Sequence, residues 1–129
     1  MIEPHLNKNY DFIIPIVDAR RMEVYCADYN RKTGSLCSET EAKILDEASF
    51  SEFADQKVLF VGDGAKKTKE LLFSEENLAF KNAEFIENVY PSAKYLIKKS
   101  VEKFNQQNFE NVAYFEPFYL KDFQGVKKK

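Results

Sequence analysis

At 129 residues, with 44% hydrophobic and 15% aromatic side chains, the chain has enough apolar material for one packed domain. Its 19 basic and 21 acidic residues leave a net charge of −2, which excludes a surface-wide grip on nucleic acid and confines any RNA contact to a local patch or a partner. Cys26 and Cys37 are too few and too far apart for a disulfide framework or a CxxC centre, no apolar run approaches the roughly 20 residues of a membrane span, and no signal peptide precedes the fold, so a cytoplasmic protein is expected.

Residues 1–9 (MIEPHLNKN) are polar, lack any period and read as a flexible lead-in containing the single histidine, His5. Tyr10 to Asp18 is an almost continuous apolar run, as in a strand covered on both faces. Met22 to Tyr29 reads as a second strand, with Val24 and Cys26 on one side and Tyr25, Ala27 and Tyr29 on the other. Asn30 to Gly34 is a turn, and Leu36 to Leu45 a third strand with weak alternation.

The period then changes. Ser49 and Glu52 have capping-box spacing and predict a short helix over Ser49 to Ala54. Lys57 to Val61 is a buried strand ending in GDGA, a second helix runs after Ala65 to about Leu72, and a short strand lies near Glu84 to Ile86. Pro91 suits the first turn of a third helix, in which Ala93, Leu96, Ile97, Ser100, Val101 and Phe104 form one face. That face is expected to pack on a sheet, leaving Lys94, Lys98, Lys99 and Lys103 in water. An aromatic segment, Tyr114 to Phe123, follows, with Phe115, Phe118 and Tyr119 expected to anchor it on the core. Residues 124–129 read as a basic flexible tail, so a single lobe is expected over residues 10–123.

Three strands and then alternating helices and strands predict a mixed α/β sheet with helices on its faces. The succession is that of the ribonuclease H-like arrangement, which also builds each lobe of the actin-like ATPases, so fold alone does not give function. In that arrangement the first and fourth strands are neighbours, placing Asp18 and Asp63 at the carboxyl ends of adjacent strands, where open α/β sheets bind ligands. Two such acids, with Glu23 as a third candidate, are what a two-metal phosphoryl enzyme would use, though acids there also serve as turn formers. VGDGA matches neither GxGxxG nor a phosphate-binding loop, so Gly62 and Gly64 either approach an anion or simply make a tight turn. With the one histidine in the lead-in, no histidine pair can hold a metal or meet a nucleophile within the fold.

Four stretches, DARRMEVYCADY (Asp18 to Tyr29), VGDGA (Val61 to Ala65), YPSA (Tyr90 to Ala93) and AYFEPFYLKDF (Ala113 to Phe123), resemble in the same order the second half of the bacterial TsaB (YeaZ) family. The resemblance implies a non-catalytic paralogue of TsaD, the enzyme that adds threonylcarbamoyl to an adenosine beside the tRNA anticodon, with TsaE as the associated ATPase. Family members have two actin-like lobes, and the match begins where the second starts, so a C-terminal lobe without the helices that pair with TsaD is expected. The glycoprotease label some members carry, inherited from the paralogue, finds no support in these residues.

The resemblance implies TsaD and TsaE as partners, tRNA contact only through the complex, and no required cofactor. GDGA lies where the family fold keeps its adenosine-contacting loop, which allows weak ATP or ADP binding. In an ATPase of this class the turn between the first two strands typically contains glycine; here Ala19, Arg20 and Arg21 fill it. Asp18, Arg20, Arg21, Glu23, Gly62, Asp63 and Gly64 are therefore expected to form an interface or degenerate nucleotide site, with no catalytic residue and no metal ligand assigned. The arginines are expected either to pair with Asp18, Glu23 or Asp63 and shape a partner-facing surface, or to be solvated turn residues. Apolar surface that a first lobe would cover predicts self-association.

Overall fold

The computed structural model describes residues 1–72 and 80–121. Asp122 and Phe123 of the expected aromatic segment, and the basic tail 124–129, lie outside the described residues.

The most apolar runs form the centre of the molecule. Strand β1 (Phe12–Asp18) pairs in parallel with β5 (Val58–Gly62), whose residues are all buried. On its other side β1 pairs antiparallel with β2 (Glu23–Cys26) and then β3 (Tyr29–Asn30). Strand β4 (Glu41–Ile44) adds antiparallel to β2, and β6 (Ala83–Glu87) adds in parallel to β5. The result is a six-stranded mixed sheet in the order β4-β2-β1-β5-β6, with β3 beside β1. The expected second strand is thus two, interrupted at Ala27 and Asp28, where the Asp28 amide leaves the ladder to donate to Ser38 Oγ at 3.1 Å. Only Glu41–Ile44 of the expected third strand is regular.

One face of the sheet carries the larger core, in which Ile14, Ile16, Val24, Phe50, Phe60 and Phe80 meet Leu72 of helix α1 (Ala65–Leu72). Phe60 is at its centre, with ring centroids 5.2 Å from Phe50, 6.3 Å from Phe80 and 4.8 Å from Phe85. The opposite face is smaller: Tyr10, Ile13, Leu59 and Val61 are covered by Ile2 and Leu6. The patternless lead-in therefore supplies a structural element, a single 3-10 turn (Glu3–His5) with His5 buried.

The Ser49 capping box does not form. Phe50 takes a left-handed φ of 63° with its ring buried, only a 3-10 turn (Ser51–Phe53) follows, and the Ser49 hydroxyl bonds to Asp46 Oδ1 instead, at 2.9 Å. The third helix also departs from expectation. A 3-10 turn (Ala93–Leu96) leads into α2 (Ile97–Asn105), and the periodic apolar face is exposed rather than laid on the sheet: Leu96 is 61%, Ile97 63%, Val101 53% and Phe104 68% accessible. The lead-in packs on the sheet instead, and a groove of about 620 Å³ is lined by Ile2 and Leu6, by Pro15 and Tyr29, and by Leu96 and Lys99. Nor does the aromatic segment anchor on the core, since Phe115, Phe118 and Tyr119 are all exposed. No helix among the described residues is long and apolar enough to cross a membrane.

Because Phe60 joins three other rings in the main core, Phe60→Ala should lower unfolding free energy by about 3–5 kcal/mol. Urea denaturation measures this, and an unchanged midpoint would show that the core is organised differently.

Candidate functional site

The carboxyl ends of β1 and β5 are locked together by the GDG sequence. Gly62 has a φ of +147°, and a Cβ there would lie 1.9 Å from the Ile16 carbonyl oxygen, so only glycine fits. The Gly64 amide donates to that same oxygen at 3.1 Å, and a Cβ on Gly64 would come within 2.5 Å of Ile16 Cγ2. Between them, Asp63 Oδ1 accepts the Asp18 amide at 2.9 Å. Both glycines are thus required by the approach of this loop to β1, and Asp63 is tied to backbone.

Helix α1 starts directly after this loop, which brings its first turn to the β1–β2 connection. Lys67 reaches across and donates to Asp18 Oδ1 at 2.7 Å, the Arg21 carbonyl at 3.0 Å and the Glu23 carbonyl at 2.6 Å. Its side chain is only 17% exposed, so its charge is satisfied within the fold. Lysine geometry suits the task, because an ammonium carries three donors at one point. The connection itself is closed by Ala19 N–H to Glu23 O and Glu23 N–H to Arg20 O, each at 3.1 Å, and by the Arg20 amide on Asp18 Oδ1 at 2.6 Å.

Within this turn Arg20 and Arg21 have φ of 69° and 46°, left-handed backbone that costs a non-glycine residue roughly 1–2 kcal/mol. Both side chains are exposed, and neither makes an ion pair among the described residues. The expected pairing of the arginines with Asp18, Glu23 or Asp63 is therefore not what the turn contains. Asp18 receives Lys67, and the Glu23 carboxylate receives Lys121. The physical reason is that α1 delivers a lysine from beneath the turn, while the doubled-back backbone holds the arginines outside it.

All seven residues singled out from the sequence lie at this end of the sheet, on β1, the turn, β2 and the GDG loop. Lys67 was missed. Among the described residues no group of three or more His, Cys, Asp or Glu side chains is gathered to hold a metal. Cys26 is no candidate nucleophile, since burial pushes its thiol up to about 12.

The architecture can be set beside known structures. It matches YeaZ from Pseudomonas aeruginosa with a TM-score of 0.60 at 16% identity, over 92% of this chain and 53% of that one. A second structure, described as an uncharacterized protein from the same organism with similarity to the peptidase YeaZ, matches with a TM-score of 0.61 at 16% identity and the same coverage. The chain shares its fold with YeaZ. It spans about half the length of these neighbours. No family model matches the chain, and no curated protein is detectably similar in sequence.

The Asp18 carboxyl is held below its ordinary value of 3.8, first by the hydrogen bond from Lys67 and then by the Arg20 amide. A lowered folded-state value means that this interaction stabilises the fold fully above 3.8 and is lost as pH falls below it, when the carboxylate protonates. Lys67→Met should therefore cost about 1–2 kcal/mol near neutral pH. The difference from the parent should narrow below pH 3.8. A difference that stays constant across that range in denaturant titrations would show that Lys67 acts only through the two carbonyls.

Proposed function

We propose that this domain is the C-terminal lobe of a non-catalytic scaffold subunit that pairs with TsaD, and through it with TsaE, in threonylcarbamoyladenosine modification of tRNA. The shared fold with YeaZ and the order of the four matching stretches support the reading. The finer fold assignment, a ribonuclease H-like lobe of the actin-like class, fits the strand order β4-β2-β1-β5-β6 with β2 antiparallel to its neighbours.

The observation that carries the non-catalytic part is the Lys67 clip. An ATPase of this class needs the turn after β1 open to phosphate, with backbone amides and a free cation facing it. Here Asp18 and the carbonyls of Arg21 and Glu23 consume the Lys67 ammonium, Asp63 is spent on the Asp18 amide, and arginines replace the glycine that phosphate approach favours. Any ATP or ADP binding at the GDG loop is weak and not required for the scaffold role. Contact with tRNA is made by the assembled complex, in the cytoplasm, which accords with the net charge of −2.

Two surfaces would serve assembly. One is the arginine turn, whose strained, exposed Arg20 and Arg21 offer guanidinium groups for carboxylates of a partner. The other is the apolar face of α2, which is exposed, its Phe104 ring meeting that of Phe109. An uncovered face of this kind promotes association of the isolated chain.

TsaD from the same source should bind the chain extended by a YeaZ-type first lobe and bind this chain alone at least tenfold less well (about 1.4 kcal/mol). Failure of both to bind would withdraw the scaffold role. Magnesium binding abolished by Asp63→Asn would instead favour a metal-dependent phosphoryl enzyme. Light scattering of the chain should show association that grows with concentration and diminishes in Val101→Ser with Phe104→Ser; a monomer at every concentration would overturn that expectation. Arg20→Gly with Arg21→Gly should raise stability by about 1 kcal/mol or more by relieving the left-handed backbone, while weakening TsaD binding. Stability and binding that move together would remove the arginines from the interface.

A further inference from the structure

The opposite end of the sheet has a different charge balance. Three lysines, Lys8, Lys57 and Lys81, border one hollow of about 450 Å³. Each comes from a different connection, and parallel pairing brings them together. Phe12 on β1 is in register with Val58 on β5, and Val58 with Ala83 on β6, so the residues entering these three strands are spatial neighbours. Lys57 immediately precedes β5, Lys81 lies two residues before β6, and Lys8 lies four residues before β1.

The backbone here is fixed by hydrogen bonds that leave the lysine ammonium groups unused among the described residues. The Lys57 amide donates to Asp11 Oδ2 at 3.0 Å, and its carbonyl accepts the Asp11 and Phe12 amides at 2.7 and 3.3 Å. None of the three ammonium groups makes an ion pair among the described residues. The one carboxylate in the lining, Glu84, already accepts the Tyr10 hydroxyl at 2.6 Å. Asn9 and Asn82 also face the hollow and add carboxamide donors. With Glu84 counted, the lining carries three positive side chains against one negative; the surplus positive charge repels itself, and a bound anion relieves that repulsion.

We propose that this hollow is an anion site for a phosphorylated small molecule, a phosphomonoester or a diphosphate, held by Lys8, Lys57 and Lys81. Lysine ammonium groups act on phosphate as point charges and impose no planar geometry. The volume lies within the roughly 300–1,000 Å³ range of small-ligand sites. A nucleic-acid strand would instead need a basic track extending beyond one hollow, which a chain of net charge −2 does not favour. The site lies at the amino ends of β1, β5 and β6, on the order of 20 Å from the Asp18 turn by strand length, and does not depend on the scaffold reading.

Calorimetric titration of the purified chain with pyrophosphate and with inorganic phosphate, at low ionic strength, tests the site directly. The expected result is saturable binding of pyrophosphate, weaker binding of phosphate, and a rise in melting temperature with pyrophosphate. Lys57→Gln with Lys81→Gln should weaken pyrophosphate binding about tenfold or more, and added salt should weaken it in the parent. Arg20→Gly with Arg21→Gly should leave it unchanged. The proposal is overturned by absence of saturable binding, by binding indifferent to the lysine pair, by binding lost with the arginine pair, or by binding of a single-stranded RNA oligonucleotide alone.

Discussion

The close approach of the GDG loop to the end of β1 governs the functional end of this domain. The Ile16 carbonyl oxygen accepts the Gly64 amide and lies where a Cβ on Gly62 would have to be. Two glycines in three residues therefore answer a packing demand, and everything after them inherits its position. Helix α1 can begin at Ala65 only because the loop turns so tightly over β1. Starting there, it carries Lys67 beneath the β1–β2 turn, where one ammonium gathers a carboxylate and two backbone carbonyls. A glycine contact thus propagates through a helix start to a charge, and from that charge to the shape of a turn.

The turn in question carries a cost that its own residues do not explain. Arginine gains nothing locally from left-handed backbone at two successive positions, and glycine would occupy both without penalty. The surrounding bonds, from Lys67, from Asp18 and across the strand ends, hold the conformation in place. Strain sustained this way, with the two side chains left exposed, is most economically understood as presentation of the guanidinium groups to something outside the domain. The same bonds engage the Lys67 ammonium and the Asp63 carboxylate within the fold.

Much of this was legible in the sequence, and the failures have physical causes. The runs around Ile13 and Phe60 read as buried strands and are, and α1 ends at the expected Leu72 and starts at Ala65, the residue after which it was expected. The neighbourhood of Asp18 and Asp63 followed from the ribonuclease H-like arrangement expected of the strand and helix succession. The capping box at Ser49 failed because burying Phe50 forced a left-handed residue where the first helical turn should be, a tertiary demand outweighing a local signal. For α2 the period was correct and the inference about packing was not: periodicity identifies an apolar face without saying what covers it. Lys67 escaped notice because Lys66, Lys67 and Lys69 look equivalent in sequence, and only the exact start of α1 decides which of them reaches the turn.

Open α/β sheets usually bind ligands beyond the carboxyl ends of their strands, where loops and helix starts converge. Here that end has been closed upon itself, with Asp18 matched to Lys67 and Glu23 to Lys121. Charges balanced inside a fold stabilise it but offer nothing to a small ligand. At the amino ends Asp11 accepts the Lys57 amide and Glu84 the Tyr10 hydroxyl, neutral donors that leave both charges in place, while Lys8, Lys57 and Lys81 make no ion pair among the described residues. At one end of the sheet lysines thus match the carboxylates and leave only the guanidinium groups of Arg20 and Arg21 outside the turn, while at the other three lysines border one hollow without an ion pair among the described residues. Under the two proposals, recognition of other proteins falls to the rigid turn and the exposed helix face, and recognition of small anions to the end of the sheet that such folds seldom use.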